Sequence, residues 1–147
     1  MILLDYSQIA LSNIIVQKLN DEDMIRHMIL NSIRMYNKKY RKEYGQMVIC
    51  ADGAGYWRKE YFPMYKGMRK KNRAESTQDW GEIFRILNLV REELKENFPY
   101  KVVHLDGCEA DDAIGVLAQQ TQEFGQHEPV MIISSDKDFI QLHRYKN

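Results

Sequence analysis

The sequence predicts an α/β fold in which a mostly parallel central sheet is flanked by helices. Three observations carry that expectation. Four short apolar runs, rich in Val, Ile or Leu, are spaced along the 147 residues. Segments with helical periodicity lie between them. No internal repeat, low-complexity tract or Pro/Gly-rich linker divides the chain, whose length suits one domain with a proper core.

The runs are Ile2–Asp5, Met47–Asp52, Lys101–Leu105 and Val130–Ser134. Continuous apolar runs of this length predict strands buried on both faces, as in parallel sheets. The first helix of clear period runs from Asp21 to about Tyr44, with apolar residues recurring at Met24, Ile25, Met28, Ile29, Ile33, Tyr36 and Tyr40. A second spans Ser76–Glu96, with Trp80, Ile83, Phe84, Leu87, Val90 and Leu94 on its apolar face, a capping-box-like pair in Ser76 and Asp79, and Pro99 beyond its end. A third is expected over Glu109–Phe124, with Ala110, Ala113, Ile114 and Leu117 inward and Gly125 ending it. Strands alternating with helices imply right-handed crossovers. Gly53–Glu75 is the exception. It shows no clean period, contains Gly53, Gly55, Pro63 and Gly67, and reads as a long basic-aromatic loop or a partly helical one, a kind of segment that is usually functional or disordered.

Composition is ordinary for a globular protein, with 44% hydrophobic and 29% charged residues. No apolar run approaches membrane-spanning length, and Met1 leads into Ile2-Leu3-Leu4 without a charged n-region, so neither a spanning helix nor a secretory signal is expected. Cys50 and Cys108 form neither a CxxC pair nor a disulfide framework, and a reducing cytoplasm is the expected location. The net charge of zero conceals a division. Residues 34–73 hold 12 Lys and Arg against 3 Asp and Glu, whereas residues 74–147 hold 7 against 14. A basic middle suited to a polyanion and an acidic remainder suited to a metal cancel in the total.

In open α/β sheets, ligands bind outside the carboxyl ends of the strands. The first run ends at Asp5 and the second at Asp52. The third leads into Glu109-Ala110-Asp111-Asp112, and the fourth into Asp136-Lys137-Asp138. Each acid has an ordinary explanation by itself. Asp5 can cap a helix opening at Tyr6-Ser7-Gln8, and Asp52-Gly53 is a common turn. Glu109, Asp111 and Asp112 suit a helix N-terminus, and Asp136 can cap a short helix over Asp138–Leu142. Acids at all four strand ends are harder to ascribe to chance. Two unit charges about 4 Å apart repel by roughly 4 kcal/mol at an effective dielectric near 20. Six or seven converging carboxylates therefore require protonation or divalent cations. With only oxygen ligands present, Mg²⁺ or Mn²⁺ is favoured over Zn²⁺. Two such ions suit phosphodiester hydrolysis.

The strings Leu4-Asp5-Tyr6-Ser7-Gln8-Ile9-Ala10-Leu11-Ser12, Glu109-Ala110-Asp111-Asp112 and Ile133-Ser134-Ser135-Asp136-Lys137-Asp138-Phe139 resemble the signatures of the metal-dependent 5′-nuclease family. This is the family of flap endonucleases, 5′–3′ exonucleases and replicative ribonucleases H, and the branch found in T-even bacteriophages is the most similar. The resemblance extends to Gly55-Tyr56-Trp57-Arg58, Tyr65-Lys66, Glu75-Ser76-Thr77-Gln78-Asp79-Trp80 and Gln141-Leu142-His143, and covers essentially the whole chain. It implies a PIN-like nuclease core over residues 1–147 with a basic helical arch at about 53–75. The first metal site would use Asp5, Asp52, Glu109 and Asp111. The second would use Asp136 and Asp138, with Asp111 shared or nearby, and Asp112 joins the acidic set although cellular members often lack an acid there. Arg58 and Lys66 match positions that contact the scissile phosphate, with Tyr65 and Arg69 close by. Lys70, Lys71 and Arg73 would follow the backbone by charge, and Tyr61 and Tyr65 would stack bases. Lys66–Arg73 as a merely solvated charge run is the bland alternative.

The resemblance further implies a nuclease acting on 5′ ends and flaps of DNA or RNA–DNA hybrids, as in primer removal, in the cytoplasm of a phage-infected bacterium. Two Mg²⁺ ions, replaceable by Mn²⁺, would serve it, and replication proteins are candidate partners. The family's further strand, last ligand aspartates and C-terminal DNA-binding region have no counterpart before Asn147. On that expectation the second metal site lacks a ligand, and a separate polypeptide is a candidate source of the missing region. Two other readings stay open: a catalytically weak nucleic-acid-binding module that needs a second polypeptide, and a PIN-type ribonuclease, against which the long arch argues. A haloacid-type phosphatase would need an acid where Ser7 stands, and no GxGxxG follows the first run.

Overall fold

The computed structural model describes residues 1–19, 21–55, 57–64, 66–67, 69, 72, 79–123 and 127–146. Four parallel strands, β1 (Ile2–Asp5), β2 (Met47–Ala51), β3 (Lys101–His104) and β4 (Met131–Ile133), form one sheet in the order β3-β2-β1-β4. Every side chain of the central strands β1 and β2 is buried, as their continuous apolar runs predict. The edge strands differ: β3 is exposed or half-buried throughout, and β4 has only Ile133 buried. An edge strand lacks a neighbour on one side, so an apolar run there overstates its burial.

Alternation along the strands divides the core between two faces. Ile2, Leu4, Met47, Ile49 and Ala51 pack with α1 (Tyr6–Gln17), α2 (Glu22–Tyr44) and α4 (Trp80–Asn97). Leu3, Val48 and Cys50 pack with Ala110, Ile114 and Ala118 of α5 (Ala110–Glu123), where Phe139 and Leu142 of a 3₁₀ helix, Lys137–Arg144, close the layer. A short helix, α3 (Trp57–Tyr61), starts the basic segment. No helix among the described residues is long and apolar enough to cross a membrane.

Local chemistry explains the starts of these helices. Asp5 caps α1 by accepting from the Gln8 amide, and Asp21 caps α2 by accepting from that of Met24. α4 begins later than Ser76, because Asp79 is itself the cap and accepts from the Glu82 amide at 3.2 Å. Ser76 and Gly125 lie outside the described residues. Tyr6, expected only to open a helix, is a core residue whose hydroxyl donates to the Leu87 carbonyl at 2.6 Å and so ties α1 to α4.

Register decides what lies at the sheet's carboxyl edge. Asp5 pairs with Cys50, two residues before Asp52, and Leu4 pairs with Ile133, so Ser134 falls beside Asp5. The chain adds β2 and β3 on one side of β1 and then returns to place β4 on the other. The switch in strand order, where such sheets open a crevice, therefore lies between the ends of β1 and β4.

Candidate active site

At that edge a cavity of about 550 Å³ is lined by five carboxylates, those of Asp5, Asp52, Glu109, Asp111 and Asp136. Lys59, Lys66 and Arg69 line it from the basic segment. Thus all four strand ends contribute an acid, and the segment after β2 contributes the cations.

The acids are held by local hydrogen bonds. Asp5, 8% exposed, accepts from the Ser134 hydroxyl at 3.0 Å and from the Gln8 amide at 3.4 Å. Asp52 accepts from the Ala110 amide at 2.7 Å, which fixes the end of β2 to the start of α5. Asp136 accepts from the Asp138 amide at 2.9 Å. None of Asp5, Asp52, Asp111 or Asp136 takes part in the ion pairs found among the described residues. Burial and neighbouring charge raise the pKa of two of them, Asp5 and Asp111. Burial first, then the charges of Asp52 and Asp111, push Asp5 up to about 6 against the favourable bonds from Ser134 and Gln8. Asp111 is also raised, by burial and then by Asp112.

Glu109 is neutralised differently. It is 1% exposed, and Arg58 donates to one of its oxygens at 2.8 Å while the Lys66 ammonium contacts the other. Lys66 holds φ at 56°, a left-handed conformation that a lysine adopts at a cost of about 1 kcal/mol. Burial, followed by the charge of Arg69, lowers its pKa.

Backbone contacts set the basic segment against α5. Gly53 donates to the Cys108 carbonyl at 2.8 Å, Gly107 to that of Ala54 at 2.6 Å, and Trp57 to that of Gly107 at 2.9 Å. Gly53 has no room for a side chain, since a Cβ would lie 1.8 Å from the Leu105 carbonyl oxygen.

Of the acids expected from the sequence, Asp5, Asp52, Glu109, Asp111 and Asp136 are brought together. Asp112 lies beside Glu109 and Asp111, with oxygens of all three within 4.8 Å of one another, but it does not line the cavity. Asp138 is exposed and is not among the lining residues. Lys66 and Arg69 line the cavity, and Arg58 reaches its wall through Glu109. Tyr65, Lys70, Lys71 and Arg73 lie outside the described residues. Sequence reasoning overlooked Lys59, whose place beside Arg58 was the available signal. It also gave no role to Gln8 or Ser134, whose bonds to Asp5 depend on the register between β1 and β4.

The model of the "5′–3′ exonuclease, N-terminal resolvase-like domain" family matches residues 3–146. The chain belongs to this family. It is 45% identical over 152 aligned residues to ribonuclease H of Enterobacteria phage T4, an alignment that covers 99% of this chain and 49% of that protein. It is 31% identical over 125 residues to DNA polymerase I of Geobacillus stearothermophilus, covering 84% of this chain and 13% of that much longer protein. Among solved structures, T5 5′-exonuclease with bound divalent metal ions (zinc) superposes with a TM-score of 0.74 at 21% identity, over 97% of this chain and 51% of that one. The bacteriophage T5 flap endonuclease in complex with DNA and metal ions superposes with a TM-score of 0.72 at 22% identity, over 94% of this chain and 49% of that one. These likenesses show the shared PIN-like fold. The chain spans about half the length of the T4 and T5 proteins.

Proposed function

We propose that the chain is the nuclease domain of a divalent-metal-dependent 5′–3′ exonuclease and flap endonuclease, which hydrolyses phosphodiesters at 5′ ends and flaps of DNA or RNA–DNA hybrids. The observation that carries this reading is the meeting of five carboxylates from four strand ends in one cavity that two lysines and an arginine also line. Anionic donors suit hard cations, and lysine and arginine beside them suit a phosphate.

The donor set fits Mg²⁺ or Mn²⁺, because it consists of oxygens from Asp5, Asp52, Asp111 and Asp136, with Glu109 beside them. In this reading Asp5, Asp52, Glu109 and Asp111 would hold the first ion, and Asp136, with Asp138 two residues on, would hold the second. When bound, the ions supply Lewis acidity and a low-pKa water. The protein's own groups do the rest. The hydrogen bonds to Asp5, Asp52 and Asp136 aim those carboxylates before any ligand arrives. Arg58 and Lys66, now held by Glu109, are placed to exchange that carboxylate for the scissile phosphate and to stabilise its developing charge. Lys59 and Arg69, with Lys70, Lys71 and Arg73, guide the nucleic-acid backbone, and Tyr61 and Tyr65 offer stacking faces.

A 5′-flap DNA substrate, titrated with Mg²⁺ and separately with Mn²⁺, tests the reading. Metal-dependent release of 5′ fragments by the wild type, lost in Asp111→Asn and Asp52→Asn, is expected. Cleavage without metal, or undiminished in Asp111→Asn, would contradict it. Binding without cleavage at any Mn²⁺ concentration would instead favour a nucleic-acid-binding module that depends on a second polypeptide.

A further inference from the structure

Asp112 sits one residue after Asp111, yet its carboxylate is already occupied. Arg58 grips both of its oxygens, at 2.8 and 3.1 Å. The Trp57 indole N–H donates to it at 3.2 Å, and the Glu109 backbone N–H donates at 3.0 Å. Three of these contacts fall on Oδ2 and one on Oδ1, so Oδ2 is fully taken by protein donors and Oδ1 is drawn to the same guanidinium. The closeness of Glu109 and Asp112 therefore needs no metal ion, because Arg58 bridges the two and, with Lys66 on Glu109, sets two positive charges against the two carboxylates.

The donors identify what Asp112 holds. Trp57 and Arg58 are the first two residues of α3, and the guanidinium lies 4.5 Å from the centre of the Trp57 ring. The backbone of the same turn is tied by the Trp57 amide to Gly107, just before α5. We propose that Asp112 is a positioning residue rather than a metal ligand: it anchors the first turn of α3 on α5, so that Arg58 is presented at the cavity wall. This deepens the metal-dependent nuclease reading and rests on it. It removes one acid from the expected ligand set and supplies a reason for an acid at this position, which is to aim an arginine.

The chain has two tryptophans, so Trp80→Phe makes Trp57 the sole indole reporter. In that background Asp112→Asn, Asp112→Ala and Asp111→Asn are compared by Mn²⁺ titration calorimetry, by Trp57 emission and by flap-cleavage kinetics. Asp112→Ala is expected to shift Trp57 emission to the red as the indole loses its partner, and Asp112→Asn, which keeps one carbonyl acceptor, to shift it less. Both should keep Mn²⁺ binding within about tenfold of wild type, the lower end of the effect of residues beyond the ligands themselves. Misplacing Arg58 should lower kcat by about tenfold to a hundredfold with a smaller change in KM. Unchanged emission in Asp112→Ala overturns the anchor, and loss of Mn²⁺ binding in Asp112→Asn overturns its exclusion from the ligand set. Normal Mn²⁺ binding by Asp111→Asn overturns instead the metal-site reading beneath the proposal, and in that case the emission shift still decides the anchor.

Discussion

Replacing Asp5 by asparagine should make the metal-free protein more stable and the metal-loaded protein less so. Asp5 is almost fully buried beside Asp52 and Asp111, and its pKa is pushed from 3.8 up to about 6. Each unit of such a displacement corresponds to about 1.4 kcal/mol, so keeping this carboxylate charged in the fold costs on the order of 3 kcal/mol. Asparagine is neutral and nearly isosteric, but it has one carbonyl oxygen where Asp5 uses two, for Gln8 and for Ser134. Losing the second acceptor costs about 1 kcal/mol, which leaves a net gain of about 1–2 kcal/mol at about pH 8. The sign follows from the raised pKa. The wild type has this contribution in full below the unfolded value of 3.8 and loses it as pH rises through about 6. The stability difference between variant and wild type should therefore open over that interval and stay flat above it. Urea denaturation in a chelator, repeated across this range, measures it. A variant less stable than wild type at about pH 8, or a difference indifferent to pH, would refute the electrostatic reasoning. With Mg²⁺ present the order should reverse, because only the wild type gains stability from binding at this site.

Other outcomes follow from the geometry and from the charge of the basic segment. Gly53→Ala places a Cβ 1.8 Å from the Leu105 oxygen, and opening the joint between the two loops should cost about 3 kcal/mol or more in denaturant midpoints, whereas Gly115→Ala, with open space around it, should be neutral or stabilising. Lys66→Ala should slow flap cleavage far more than it weakens DNA binding, because one lysine at the phosphate stabilises charge that develops during the reaction; a loss of affinity alone would show the role to be wrong. Lys70→Ala and Lys71→Ala should mainly weaken binding, and each should lessen the salt dependence of affinity by about one phosphate contact.

Much of the fold was legible because its signals are local. The buried runs of β1 and β2, the period of α2, and acids at the strand ends can all be read within a few residues. What stayed hidden depends on distant partners. The closeness of Gly53 to Leu105 is not visible at Gly53, where Asp52-Gly53 reads as any turn. Asp112 looks like another ligand until Arg58, 54 residues earlier, is seen to bridge it to Glu109. Asp138 falls outside the cavity although it follows Asp136 closely, because Asp136 caps the 3₁₀ helix by accepting from the Asp138 amide, and Asp138 lies in the exposed first turn of that helix. The burial of the edge strands could not be read either, since an apolar run does not say how many neighbours a strand will have.

The claim on which all of this depends is that the carboxyl edge of the sheet holds divalent metal. Anomalous scattering from crystals of this chain soaked in Mn²⁺ tests it most directly. Strong density between Asp5, Asp52 and Asp111, with a second, weaker feature near Asp136, is the predicted result. Crystals that remain without anomalous density in this cavity at saturating Mn²⁺, or that place the ion elsewhere on the molecule, would contradict it.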